Sequence, residues 1–378
     1  MGRPEEQASE AHAAGVGGRL TIDLGALVRN YRTLSTRAGA AECAAVVKAD
    51  AYGLGVARVV PALVAAGCRT VFVARAEEGV AVREIAPSVR IYVLDGVCDA
   101  TLSAIRVNGL VPVLGSLREI GLWREAGGGE PCAVHVDTGM NRLGLRPDAF
   151  ARLADDDAFA GLRVALLMTH PACADAPANP MNARQRDLFA NARERLPDVA
   201  ASYCNSAALL GDGPVLDLVR PGIALYGGNA VDGVPPLEPV IGLDARIVQL
   251  RDVHAGESVG YGAAWRAERD SRIAVCAVGY ADGYPRAAGG GVPLRAAVPG
   301  GAFGAWNGHR APIVGRISMD LTAFDVTDVP LEAMRGSDHI ELIGPHVPLG
   351  EVARAAGTID YEILTSLGAR YSRVYTGA

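Results

Sequence analysis

No stretch of the 378-residue chain approaches the ~20 consecutive apolar residues that a membrane-spanning helix needs. The first residues, MGRPEEQASEAHAAGVGG, are small, polar and partly acidic. They lack the apolar stretch of an export signal and read as a loose tail on a cytoplasmic protein. The Met-Gly start lacks the Ser or Thr of a myristoylation site. Basic residues are not in excess: the formal net charge is −6, which argues against sequence-independent nucleic-acid binding. Seven cysteines (Cys43, Cys68, Cys98, Cys132, Cys173, Cys204, Cys276) stand singly, with no C-x-x-C pair. That pattern speaks against a disulfide framework or a zinc site and for buried thiols in a reducing compartment.

Apolar residues make up 50% of the chain, enough for a large domain plus a smaller one, or a barrel with an appendage. From Ala44 to Tyr226 one theme recurs: a short apolar run, a loop, then an amphipathic stretch. The runs are 44–48, 70–74, 90–94, 109–114, 132–137, 162–170, 202–205 and 218–226. VARVVPALVAAG, AEEGVAVREIA, SLREIGLWREAG and NARQRDLFANARERL carry helical patterns between them. Continuous apolar strands alternating with helices indicate a parallel sheet buried on both faces. Eight such units predict a closed (β/α)8 TIM-type barrel.

After Gly242 the rhythm changes. ARIVQLRDV, RIAVCAVGY, APIVGRISM, LTAFDVTDV and HIELIGP are β-rich, separated by turn signals at Ala255-Gly256, Gly289–Gly291 and Asn307-Gly308, the last a hairpin signal. These patterns predict a tail over 1–18, an α/β barrel over 19–242 and a second, mostly β domain over 243–378. The segment LTIDLGALVRNYRTL offers a strand and then a helix, and its strand (19–23) can pair with either domain.

In such barrels the chemistry sits at the C-terminal ends of the strands. The polar residues there are Lys48 and Tyr52, then Asp137 with TGMNRLG, then His170, Asn205, Ser206 and Arg220. No carboxylate or cysteine cluster has metal-ligand spacing, so no metal is expected. A lysine at the end of a buried strand is desolvated, which favours the neutral amine, and a neutral amine attacks aldehydes. The alternative is a lysine that snorkels its ammonium out of the barrel mouth. The loops after the seventh and eighth strands often hold phosphate; here they supply Ser206 and the backbone of Gly222 and Ile223. An aldehyde-reactive amine, a phosphate cup and an arginine outline pyridoxal 5′-phosphate.

With TIDLGALVRNYRTL, VVKADAYGLG, VDTGMNRLG, CNSAA, RPGIALYG, VGYGAAW, VGYADGYPR, GRISMD and DYEILTSLGAR in order, the chain resembles the pyridoxal-phosphate-dependent alanine racemases of the barrel family. The resemblance implies that Lys48 holds the cofactor as an internal aldimine. Tyr52, Ser206, Gly222, Ile223 and Tyr361 would hold its phosphate, with Asn205 beside them. Arg220 would face the pyridine nitrogen, with His170 hydrogen-bonded behind it. Arg142 and the backbone of Met319 would meet the substrate carboxylate, and Tyr261, from the neighbouring subunit of a homodimer, would be the second base. Asp175, Tyr280, Arg286, Arg316 and Asp320 match positions lining the approach.

Racemisation removes a proton from one face of Cα and returns one to the other, which suits two opposed bases. A free phenol has a pKa near 10, so a tyrosine base needs positive charge nearby. A guanidinium does not give up its proton, so Arg220 leaves the pyridine nitrogen unprotonated and keeps the carbanion short-lived.

Two positions depart from the family pattern. His135 stands where many members carry a carbamylated lysine behind the residue matching Arg142, so Arg142 is expected to be held by His135, by a bound anion or by water. Pro171 follows His170 and is expected to shift the loop toward Asp175. Trp123, Trp265 and Trp306 read as packing. Competing readings are a broad-specificity or serine racemase, a decarboxylase, and a non-catalytic pyridoxal-phosphate carrier. The tyrosines at 52, 280 and 361 favour a one-carbon side chain.

Overall fold

The computed structural model describes residues 17–127, 129–231, 233–289 and 301–377. The tail up to residue 16, and Gly290 and Gly291 of the glycine-rich turn, lie outside the described residues. The chain forms two compact units, one of residues up to Ala26 together with Pro239–Ala378, the other of Leu27–Glu238.

The chain opens with β1 (Gly18–Asp23), followed directly by α1 (Leu24–Ala38). Within Leu27–Glu238 the strands are β2 (Glu42–Cys43), β3 (Ala45–Val46), β4 (Thr70–Val73), β5 (Arg90–Val93), β6 (Val111–Leu114), β7 (Pro131–His135), β8 (Arg163–Met168), β9 (Ala201–Ser202) and β10 (Leu218–Val219). Helices α2 (Val56–Ala65), α3 (Ala76–Ile85), α4 (Leu102–Val107), α5 (Leu117–Ala126), α6 (Pro147–Asp155), α7 (Met181–Arg193) and α8 (Ser206–Leu210) lie between them.

β3 to β9 pair side by side, all parallel. The ring closes because β10 pairs in parallel with β2, which runs through Ala44 into β3, and because Asn205 bridges to Arg220. β2 and β3 are thus one barrel strand in two short pieces, and the eight-strand barrel is complete. Every residue of β4 and β6 is buried, which explains why these strands read as unbroken apolar runs rather than alternating ones.

Two sequence expectations need correction here. The run 218–226 is strand only at Leu218–Val219; Ile223–Tyr226 is a 3₁₀ turn, so Arg220 sits just beyond the strand. The thiols are not all buried: all seven cysteines are free, but Cys98 is exposed and Cys173 half-buried. Threonine, not apolar packing, governs Cys98, whose Sγ lies 3.5 Å from Thr101 Oγ1 at the surface.

The other unit is built on β11 (Ile241–Val253), with β12 (Ser258–Val259), β13 (Trp265–Arg266), β14 (Ser271–Cys276), β15 (Phe303–Trp306), β16 (His309–Pro312), β17 (Thr322–Asp325) and β18 (His339–Ile343). Helices α9 (Leu349–Ala356) and α10 (Asp360–Ser366) precede a last strand, β19 (Ser372–Thr376). β1 joins this sheet, antiparallel to β11 and parallel to β19. Asn307 and Gly308 join β15 to β16 with φ of 45° and 83°, the left-handed pair that an Asn-Gly hairpin turn requires. Of APIVGRISM, only the first residues are strand; Val314–Met319 form a loop, held by the bond from Val314 N to Ala323 O and by Ser318 N to Leu321 O. Trp123 and Trp306 are buried, their indole N–H groups donating to Glu130 O and Ser337 O.

Candidate active site

Lys48 stands two residues past β3, and the four residues after it do something unusual. Ala49, Asp50, Ala51 and Tyr52 all take positive φ, from 53° to 58°, making a left-handed helical turn that ends at Gly53, also left-handed at 83°. A non-glycine residue in that region costs about 1–2 kcal/mol, so the surroundings must impose it. Gly53 N donates to Ala49 O at 2.7 Å and Gly55 N to Asp50 O at 2.9 Å. Asp50 Oδ1 accepts from Val56 N at 2.7 Å, and Ala51 and Tyr52 are buried. The lysine is thereby presented at the barrel mouth. Its Nζ makes no hydrogen bond or ion pair to a described residue. Burial, and then the charge of Arg142, lower its pKa, opposed by Glu78 and Asp95.

Across the mouth, Ser206 is buried, and its Oγ accepts from Gly222 N at 2.8 Å and Ala224 N at 3.3 Å. Tyr52 packs its ring on Tyr226, centroids 4.6 Å apart. A Cβ on Gly222 would come within 2.2 Å of the Tyr52 hydroxyl; only glycine admits this tyrosine. Asn205, placed among the cofactor residues by its position, spends its side-chain oxygen on capping α8, accepting from Ala208 N at 2.9 Å.

Arg220 is 3% exposed and has no carboxylate partner among the described residues. Its Nη2 donates to Thr169 O at 2.6 Å and Tyr203 O at 3.3 Å, its Nη1 to Ser202 Oγ, and its guanidinium lies 5.9 Å from the Phe72 ring centroid. Burial lowers its pKa to about 10, so it stays charged at neutral pH. The expected hydrogen bond from His170 is not formed: Arg220 is satisfied by the ends of neighbouring strands instead. Its Nε donates to no described residue.

The remaining groups are basic too. His135, at the end of β7, is lowered to about 4 by burial, with Arg220 and Arg142 adding to the effect. His170 is lowered well below its ordinary value by burial and then by Arg220, Arg142, His135 and Lys48. Arg142 is exposed and forms no hydrogen bond or ion pair with a described residue, so His135 does not hold it here. Lysine, two arginines and two neutral histidines around one mouth make a chamber that favours anions. Asp175 is exposed in the loop after Pro171.

Gln185 on α7 was not legible as a site residue. It is fully buried; its Nε2 donates to Thr138 Oγ1 at 3.0 Å and His170 O at 3.2 Å, and its Oε1 accepts from Ala172 N at 2.8 Å. It locks the loops after β7 and β8 together. A glutamine inside an amphipathic helix carries no signal of that in the sequence.

In the β-rich unit the expected residues gather on adjoining loops. Tyr261, on a short turn, is 70% exposed, and a Cβ on its neighbour Gly262 would lie 3.2 Å from Arg316 Nη1. Tyr280 N donates to Ser318 O at 3.1 Å and Ala281 N to Met319 O at 2.9 Å, joining the Tyr280 and Met319 loops. Arg286 begins a 3₁₀ turn whose Gly289 lies against Ile317. Asp320 and Asp282 share Arg370, at 2.8 and 3.1 Å. Tyr280, Met319 and Tyr361 are exposed. Among the described residues no group of His, Cys, Asp or Glu could hold a metal, and no helix is long and apolar enough to cross a membrane.

The barrel matches the family model described as alanine racemase, N-terminal domain, over residues 22–230, and the β-rich region the C-terminal domain model over 240–375. The chain is 50% identical over 366 residues to an alanine racemase of Rhizobium meliloti (strain 1021), the match covering 95% of this chain and 97% of that one. It is 49% identical over 364 residues to a biosynthetic alanine racemase of Agrobacterium fabrum (strain C58), covering 94% and 93%. Among solved structures, alanine racemase from Bartonella henselae with covalently bound pyridoxal phosphate is similar at a TM-score of 0.87 and 38% identity, over 96% of this chain and 100% of that one.

Proposed function

The chain belongs to the alanine racemase family, and from that premise we propose how its own residues interconvert L- and D-alanine. It is a pyridoxal-phosphate-dependent amino-acid isomerase. The cofactor fits what the barrel mouth offers: an amine and a buried cation's Nε that bond to no described residue, a glycine cradle under Tyr52 and Ser206, and a surplus of positive charge. When bound, pyridoxal phosphate withdraws electrons from the substrate's Cα and so acidifies its α-hydrogen.

Lys48 holds the cofactor. Ser206, Tyr52, Ile223 and the Gly222 cradle receive its phosphate; the Ile223 N–H, which donates to no described residue, is the backbone donor left for it. Arg220 would be the residue facing the ring nitrogen. Because a guanidinium keeps its proton, Arg220 would leave that nitrogen unprotonated and so favour simple proton return over side reactions. Arg142 and the Met319 backbone bind the substrate carboxylate.

Lys48 Nζ would be one proton-transfer group. Tyr261 is the other, on the opposite face of Cα. Its exposure in a single chain suits a phenol supplied to a second copy, so the working form is a homodimer. Arg316 lies against the Tyr261 turn, its Nη1 3.2 Å from where a Cβ on Gly262 would stand. In the cell this activity would either supply D-alanine for peptidoglycan or interconvert alanine for catabolism, in line with relatives named for each role.

The observation that carries the reading is Lys48: a strand-end amine, depressed in basicity and hydrogen-bonded to no described residue, aimed by a strained turn. Lys48→Ala is expected to abolish both the visible cofactor band and racemisation of alanine. A variant that kept both would end the reading. A panel of L-amino acids followed by polarimetry separates an alanine enzyme from a broad-specificity or serine racemase.

A further inference from the structure

Glu78 sits at the third position of α3, half-buried, and its two carboxylate oxygens do different jobs. Oε2 accepts from Ala74 N at 2.8 Å and Arg75 N at 3.2 Å, which closes the first turn of α3. That is an ordinary helix-capping role. Oε1 takes no part in it. It reaches across to the turn after β3 and accepts from Ala49 N at 2.8 Å. Ala49 is the residue after Lys48 and the first of the four left-handed residues. The end of β4 is thus tied to the backbone that aims the lysine.

We propose that Glu78 is a positioning residue for Lys48: through Oε1 it fixes the left-handed turn and with it the direction of the lysine amine. The proposal rests on the reading of Lys48 as the cofactor-holding group. A charged acceptor makes the Ala49 bond stronger than a neutral one would, as a turn built from alanine, aspartate and tyrosine in left-handed geometry requires. The carboxylate also acts on the amine through space. Glu78 and Asp95, in the loop after β5, favour the ammonium; Arg142, in the loop after β7, disfavours it, and the neutral His170 faces the same cluster from the end of β8.

The two jobs can be separated. In Glu78→Gln the amide oxygen can still accept from Ala74 and Arg75, since glutamine serves at this capping position. The amide nitrogen, a donor, then confronts the Ala49 N–H, another donor. The variant should keep its thermal midpoint within about 1–2 °C of wild type. Its pyridoxal phosphate dissociation constant should rise about tenfold or more, the effect of losing one charge-assisted hydrogen bond. In the cofactor-free protein, the pH midpoint for acetylation of Lys48, followed by peptide mass spectrometry, should move to lower pH. Glu78→Ala, which also loses the cap, should add a clear fall in thermal midpoint.

Glu78→Gln with wild-type cofactor affinity, or with an unmoved acetylation midpoint, overturns the proposal. So does a loss of affinity that appears only alongside an equally large loss of thermal stability, because that marks a cap and nothing more. Lys48→Ala, run beside it, tests the underlying reading separately: if that variant binds the cofactor as wild type does, the role of Lys48 fails whatever Glu78 shows.

Discussion

Arg220 Nη2 lies 2.6 Å from the carbonyl oxygen of Thr169, buried and with no carboxylate among the described residues to neutralise it. A buried cation held only by neutral acceptors is costly to build and costly to disturb. Arg220→Lys keeps the charge but cannot span Thr169, Ser202 and Tyr203 with one nitrogen. The expected loss is about 2–4 kcal/mol in stability, since hydrogen bonds to charged groups contribute ~1.5–3 kcal/mol each. Urea unfolding of the holoenzyme and a cofactor titration check it; a lysine variant equal to wild type in both would remove Arg220 from the account.

Gly222→Ala should weaken cofactor binding, because the new methyl group meets the Tyr52 hydroxyl at 2.2 Å. Backbone strain plays no part, as Gly222 has φ of −123°. Tyr52→Phe removes the clashing oxygen and leaves the ring carbon at 3.0 Å. The double variant should therefore bind the cofactor better than Gly222→Ala alone. Additive losses in a double-mutant cycle would show that the two residues do not share the cradle.

Acid should destabilise this barrel through its histidines. His135 titrates near 4 in the folded chain, against about 6.5 unfolded. Between those values the unfolded chain binds more protons, so stability falls as the pH drops from 6.5 toward 4. The contribution is about 3 kcal/mol at its limit. His170, lowered by the same causes, acts in the same direction. His135→Asn should flatten the dependence of the urea midpoint on pH across this window. A slope identical to wild type would show that His135 is free to protonate in the fold.

Ala49 is exposed and left-handed. Replacing it with glycine relieves about 1–2 kcal/mol of strain and costs about 0.5–1 kcal/mol in chain entropy, so Ala49→Gly should be equal to wild type or slightly more stable. Ala49→Val should be less stable by about 1–2 kcal/mol, because a branched side chain fits that region worst. Thermal melts of both variants decide; a destabilised glycine variant would contradict the strain.

The barrel was legible because its strands are buried on both faces, so apolar runs such as Val71–Val73 and Val111–Leu114 stand out against loops. The Asn307-Gly308 hairpin was legible because its chemistry is local. The left-handed turn was not, since nothing in the types Ala49, Asp50 and Ala51 asks for positive φ; tertiary bonds impose it. For the same reason Gln185 and Glu78 escaped notice. Each acts by reaching a neighbouring loop, and that pairing exists only once the barrel has closed. Arg220 reads as part of the eighth strand because the apolar run continues past it, but β10 ends at Val219. The bonds of Arg220 to Thr169, Ser202 and Tyr203 form only between neighbouring strand ends.

The most direct measurement follows the α-hydrogen of alanine in deuterated water with wild type and Tyr261→Phe. If Lys48 and Tyr261 serve opposite faces of one carbon, the phenylalanine variant exchanges the α-hydrogen of a single enantiomer, with configuration retained, while racemisation falls roughly 100-fold or more. Wild-type racemisation by that variant, or equal exchange of both enantiomers, would contradict two-sided proton transfer.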